Sequence, residues 1–158
     1  MKIVYFDYSS ICILIIILLS IFLNKSTKGK SNRAFIFLIL EVLSVCIVGS
    51  ITLNLDNAGP GNVAAKYFFH NAYLFLHNMT ALFFLNYIVS VADIGHTFKL
   101  PQYFFITFPS VVMVLLLCVN NFFPCVFYVD PNDVYTKLSC MPILYVIAFI
   151  NLFIGFSI

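Results

Sequence analysis

The chain has 158 residues and a mass of 17.9 kDa; it is 63% hydrophobic, 18% aromatic and only 9% charged, with a mean hydropathy of +1.06. That is too few charges to coat a soluble domain, in which about a quarter of residues are charged, and the net charge of +2 is too small and too localised to point to nucleic acid. At about 20 apolar residues per bilayer-spanning helix, the length admits roughly five spans and no catalytic domain beside them. The expected fold is therefore all-α: a polytopic transmembrane bundle forming one domain over 1–158, with helices at approximately 3–23, 34–54, 66–89, 101–121 and 139–158.

The first stretch, Ile3 to Leu23, is densest at Ile11 to Leu19 and runs straight into Asn24-Lys25 with no small-residue cleavage site. It reads as a retained anchor rather than a signal peptide. The following loop, NKSTKGKSNR, holds Lys25, Lys28, Lys30 and Arg33 and no acid. By the positive-inside rule this loop is cytoplasmic, which places the amino terminus outside. The four charges are topology determinants, and anionic lipid is the other partner such a loop suits.

The second span contains Glu41, the only acid within an apolar run. Leu55 to Ala65, with Asp56-Asn57 and Gly59-Pro60-Gly61, reads as a helix-breaking external loop. The third span, KYFFHNAYLFLHNMTALFFLNYIVSVAD, is long and polar, and a cytoplasmic loop with Asp93, His96 and Lys99 follows it. The fourth begins at Pro101, a favourable first-turn position, carries a candidate kink at Pro109 and fades at Asn120-Asn121. Phe122 to Lys137 is then an external loop with Tyr128, Asp130, Asp133 and Lys137, and with Pro124 and Asp130-Pro131-Asn132-Asp133 as turn signals. The fifth apolar stretch starts near Ser139 and ends on FIGFSI without a polar or basic flank, so the expectation is a longer chain cut in or at the end of a helix.

The candidate chemistry lies inside the spans. At 100° per residue, His70, Asn71, His77 and Asn78 fall within an arc of about 120° and form one polar stripe. Polar residues inside a membrane face a neighbouring helix or a cavity. The stripe is thus either an interhelical hydrogen-bonding seam, of roughly 0.6 kcal/mol per bond, or a ligand- or proton-sensing pocket. A metal site is disfavoured, because a seven-residue His spacing is two turns rather than the single turn of H-E-x-x-H. Glu41 is expensive inside a bilayer unless neutral or partnered; its functional reading is a coupling group opposite the histidines. The five cysteines, Cys12, Cys46, Cys118, Cys125 and Cys140, show no metal spacing; only Cys125 and Cys140 lie near an external loop, where a disulfide could form. Walker, G-x-S-x-G and dinucleotide motifs are absent from the sequence, so no enzyme activity and no cofactor are expected of this chain.

Three segments carry a family likeness: Lys25-Ser26-Thr27-Lys28-Gly29-Lys30-Ser31-Asn32-Arg33-Ala34-Phe35; Asn71 to Thr80 with Tyr87-Ile88-Val89-Ser90; and Phe127-Tyr128 through Asp133-Val134-Tyr135 to Leu144-Tyr145. In this order they cover most of the chain. The chain resembles the multi-span amino-terminal sensor region of membrane-anchored GGDEF proteins, the diguanylate cyclases of the Firmicutes type. Members have further spans and a cytoplasmic GGDEF domain, which this sequence lacks, and Thr136-Lys137-Leu138-Ser139 stands where an arginine-glycine-proline-like element is expected. The resemblance implies the sensing and anchoring region of a bacterial cyclic-di-GMP signalling protein in the cytoplasmic membrane, with an unknown ligand and a homodimer formed through the missing output domain. His70, Asn71, His77 and Asn78 would then be intramembrane contacts, and Tyr128, Asp130 and Asp133 would face outside. The rival readings are a fragment of a small-solute transporter or permease, a seven-span histidine kinase sensor, or an accessory membrane protein.

Overall fold

A computed structural model describes residues 4–23, 29–58, 61–92, 100–132 and 134–157. Lys25, Lys28, Asp93, His96, Lys99 and Asp133 lie outside the described residues. The fold is all-α with one small hairpin: helices α1 (Val4–Leu23), α2 (Lys30–Asn57), α3 (Val63–Val91), α4 (Leu100–Asn120) and α5 (Met141–Ser157), with strands β1 (Phe127–Val129) and β2 (Tyr135–Lys137) between α4 and α5. By length and composition, α2 and α3 are each able to cross a membrane; the apolar runs Tyr8–Leu23, Thr107–Asn120 and Met141–Ile154 in the other helices are shorter.

Several boundaries differ from those read in the sequence. Helix α2 takes in Lys30 to Arg33 at its start and Leu55 to Asn57 at its end, because an apolar run marks what lipid accepts and polar residues continue a helix beyond it. Asp56, expected in a loop, therefore stands in the last turn of α2. Gly61 makes the tight reversal into α3 at φ +128°, a conformation that costs a side-chain-bearing residue. Helix α4 continues through Pro109. The segment expected to be an irregular loop forms an antiparallel pair, with Phe127 opposite Lys137, Tyr128 opposite Thr136 and Val129 opposite Tyr135.

Helix α3 is central. It packs along α2 and also touches α4, α5 and β1, whereas α1 packs on α2. The apolar core lies beneath the hairpin, where Leu74 of α3, Met113 and Leu117 of α4, Val126, Phe127 and Val129 of the hairpin arm, and Met141, Leu144 and Ile147 of α5 meet. Val129 and Phe127 point inward and Tyr128 outward, the period-two alternation of a half-buried strand.

Beside this apolar core, several polar side chains are buried and many large apolar ones are exposed. Glu41, Thr52, Lys66, His70, Asn78, Ser110, Asn120 and Asn151 are buried. Ile16, Leu19 and Leu23 of α1, Val111 and Leu115 of α4, and Phe149 and Phe153 of α5 are exposed. Buried Asn151 donates to Ser110 Oγ at 3.1 Å, tying α5 to α4, and Thr52 Oγ1 donates to the Val48 carbonyl at 2.8 Å and reaches the Phe69 carbonyl of α3 at 3.4 Å.

Candidate functional site

The reversal between α2 and α3 brings together two residues 14 apart in sequence. His70 donates from Nε2 to Asp56 Oδ1 at 3.1 Å; a carboxylate only accepts, so the proton of this bond resides on the imidazole. The His70 side chain is 9% exposed and that of Asp56 35%, so the pair has a dry side and a wet one. The imidazole stacks on Tyr135 of β2, with ring centroids 4.1 Å apart and an interplanar angle of 17°. Tyr135 in turn lies against Phe127 at 5.5 Å. One contact chain therefore runs from the end of α2 through α3 into both strands.

Around this chain lies a cleft of about 400 Å³. Helix α2 lines it with Gly49, Thr52, Leu53 and Asp56; α3 with His70, Tyr73, Leu74 and His77; and β2 and α5 with Tyr135, Lys137, Met141 and Tyr145. Its volume falls at the small end of the range typical of pockets for small organic molecules. Tyr73 stacks on His77 one turn along α3, at 5.6 Å and 15°. Gly49 is the residue that lets α2 approach this ring, since a Cβ there would stand 3.1 Å from Tyr73 Cε2. Burial pushes the Tyr135 phenol up to about 12, and the neighbouring Tyr145, Asp56 and Tyr73 add to the effect. Tyr135 thus remains a neutral phenol throughout the physiological range.

Asn120, the last residue of α4, fixes the hairpin over the cleft. Its Oδ1 accepts from the backbone N–H groups of Cys125 at 2.9 Å, Val126 at 2.8 Å and Phe127 at 3.3 Å. Its Nδ2 donates to the Phe127 carbonyl at 3.2 Å and to Tyr67 Oη of α3 at 3.1 Å, while the Tyr67 hydroxyl donates to the Asn120 carbonyl at 2.6 Å. At the hairpin tip, Asp130 Oδ1 accepts from the Asn132 N–H at 2.9 Å and the Val134 N–H at 2.8 Å, the side-chain-to-backbone turn that Asp favours.

The residues singled out in the sequence separate into several places. His70 and His77 share the cleft. Asn71 faces the α4 side instead, donating to Asn121 Oδ1 at 3.0 Å beside a second, shallower groove that includes Tyr67, Phe75 and Leu117. Asn78 is buried and donates to the Leu74 carbonyl of its own helix at 2.9 Å. The 120° arc is wide enough to address two seams, and the structure divides it between them. Glu41 lies against Thr80 of α3, more than two turns beyond His70; the Thr80 hydroxyl donates instead to the Leu76 carbonyl at 3.3 Å, and among the described residues neither buried Glu41 carboxyl oxygen has a partner at hydrogen-bond geometry. Tyr128 is exposed on the outer face of β1, and Asp130 serves the turn. Lys30 and Arg33 form the first turn of α2.

Sequence reasoning missed Asp56, Tyr135, Lys137 and Asn120 as site residues. The aromatic and β-branched runs Phe127-Tyr128-Val129 and Tyr135-Thr136-Lys137 flanking Asp130-Pro131-Asn132-Asp133 are a hairpin signal that would have found two of them. No protein-family description, curated protein or solved structure matches this chain.

Proposed function

We propose that this chain is the membrane-embedded sensing and anchoring region of a bacterial signal-transduction protein, with its five helices crossing the cytoplasmic membrane and the hairpin-covered cleft facing outside. The observation that carries the reading is the cleft, in which the Asp56–His70–Tyr135 chain joins α2, α3 and the hairpin around a volume fit for a small molecule. The many exposed large apolar side chains support a lipid environment, since they are tolerated there and buried polar ones can serve as interhelical bonds.

Helix lengths support the placement of the cleft. At 1.5 Å per residue, α2 and α3 extend over about 42–44 Å, against about 30 Å for a hydrocarbon core. They overrun the bilayer by several turns in all, and the end bearing Asp56 and His70 is also the end capped by the hairpin. A ligand there touches α2, α3, β2 and α5 together. Binding that favours one packing of these helices over another shifts their relative position, and a helix shift of this kind is a standard route to a cytoplasmic output. By the resemblance of the sequence, that output is a dimeric GGDEF diguanylate cyclase.

The test begins with the reading frame beyond Ile158. It is expected to continue through further spans into a GGDEF domain, and a stop codon directly after Ile158 overturns the signalling reading. In the full-length protein, His70→Leu is expected to change cellular cyclic-di-GMP at unchanged membrane abundance. An unchanged level, together with solute uptake by the purified chain in liposomes, would make it a permease fragment instead.

A further inference from the structure

Building on the reading of the cleft as a ligand site, we infer that its ligand is a small zwitterion of the free α-amino-acid type with an apolar side chain. Its ammonium lies between the Asp56 carboxylate and the tyrosine rings, and its carboxylate lies on Lys137.

The charges lining the cleft carry the first part of the argument. Asp56 at the end of α2 and Lys137 on β2 line the same cleft from different elements. Asp56 is bonded to His70, and among the described residues Lys137 enters no ion pair. One carboxylate and one ammonium thus face the cleft without neutralising each other. A ligand carrying both charges pairs with both groups at once. A simple amine leaves Lys137 opposed to it, and a simple carboxylic acid is opposed by Asp56.

The aromatic lining carries the second. Tyr73, Tyr135 and Tyr145 come to the cleft from α3, β2 and α5, and an ammonium is attracted to phenol faces as well as to a carboxylate. Asp56 is among the groups that hold the Tyr135 phenol protonated, and its negative charge attracts a positive group at the same spot. Tyr135 cannot swing away freely because it is stacked on His70 and packed on Phe127. Val45, Leu53, Leu74 and Met141 add an apolar part to the lining that suits a hydrocarbon side chain, with Thr52 and His77 beside it. A cleft of about 400 Å³ accommodates one amino acid and is too small for a folded peptide segment.

The experiment uses the full 158-residue chain in lipid nanodiscs. Thermal stability and equilibrium binding are measured with L-alanine, L-leucine and L-phenylalanine, and with phenethylamine and 3-phenylpropionate, which each keep one charge of phenylalanine. At least one amino acid is expected to raise Tm and to bind about tenfold or more tightly than either singly charged analogue, the scale of one lost charged hydrogen bond. Lys137→Met, at an exposed strand position, is expected to lower amino-acid affinity by about the same factor while leaving phenethylamine unaffected. The inference is overturned if none of the three amino acids raises Tm, if a singly charged analogue binds as tightly, or if Lys137→Met changes nothing. Should cleft substitutions alter cyclic-di-GMP while no amino acid binds, the ligand assignment falls and the sensor reading stands. Should an amino acid bind while cleft substitutions leave the output unchanged, the sensor reading falls and the ligand assignment stands.

Discussion

At the hairpin end of the bundle, Asn120 is fully buried and each polar atom of its side chain is bonded; midway along the α2–α3 seam, Glu41 is buried, and among the described residues neither of its carboxyl oxygens is bonded. The two residues have similar polarity and similar burial, and they stand in opposite energetic positions. A satisfied buried polar group specifies a unique arrangement, whereas an unsatisfied one costs about 1–3 kcal/mol and persists only if something other than stability retains it. The contrast assigns the hairpin end to architecture and leaves Glu41 without a comparable part in it.

The contrast breaks most sharply at Asn120. Asn120→Ala removes the acceptor of three backbone N–H groups and the side-chain donor to Tyr67, leaving Tyr67 its bond to the backbone carbonyl of residue 120, and it is expected to destabilise the fold by about 3 kcal/mol or more. Denaturant titration in micelles reads this effect, and Phe122→Ala, at a residue exposed beside it, serves as the comparison. Equal midpoints for the two variants would mean that apolar packing alone holds the hairpin.

A covalent tie tests the same architecture from the other direction. Cys125 and Cys140 are free thiols at the base of the hairpin, hydrogen-bonded to each other, and the Cys140 N–H donates to the Cys125 carbonyl at 2.9 Å. Mild oxidation with diamide is expected to give an intramolecular disulfide, seen as the loss of two hydrogens in the intact mass. Closing a loop of about 15 residues is worth about 3 kcal/mol in the chain-entropy account, so Tm should rise. A cross-link that lowers Tm would show that the hairpin base must move.

For Glu41 the expected sign is reversed. Glu41→Leu removes an unpartnered carboxyl from an apolar seam and is expected to stabilise the fold by about 1–2 kcal/mol. If Glu41 couples the cleft to an output, the same variant loses signalling as it gains stability, the usual trade at functional positions. A loss of stability in Glu41→Leu would place the residue with Asn120 as part of the architecture.

How far the sequence carried this picture follows from what each signal reports. Apolar runs located all five helices, because a run of apolar residues of helical length has few alternatives. Their ends were legible only to within a few residues, since Lys30 to Arg33 and Leu55 to Asn57 continue α2 although nothing apolar marks them. The periodicity of α3 put His70, Asn71, His77 and Asn78 on one stripe and so merged two faces. His70 and His77 differ by about 20° and share the cleft, while Asn71, about 100° away from His70, turns to α4. Asp56 was hidden by its position, because an acid in a turn-rich stretch looks solvated until the reversal at Gly61 sets it against His70. Tertiary partnership of this kind leaves no local trace.

The smallest effect expected is a pH dependence at Tyr135, and it locates the boundary between dry and wet parts of the cleft. The phenol titrates near 10 in an unfolded chain and is pushed up to about 12 in the fold, by burial first and then by Tyr145, Asp56 and Tyr73. The folded state thus holds this proton more tightly than the unfolded state does. The associated stability is fully present below about pH 10 and is lost as pH rises through about 12. Tm measured from pH 9 to 12 is expected to fall less steeply for Tyr135→Phe than for the parent chain, and the difference should vanish below pH 10. Because Tyr135 is only half-buried, the effect is modest. Identical slopes for the two proteins would mean that water reaches the phenol freely, in which case Asp56 and Lys137 act on a ligand across a wet cleft rather than a dry one.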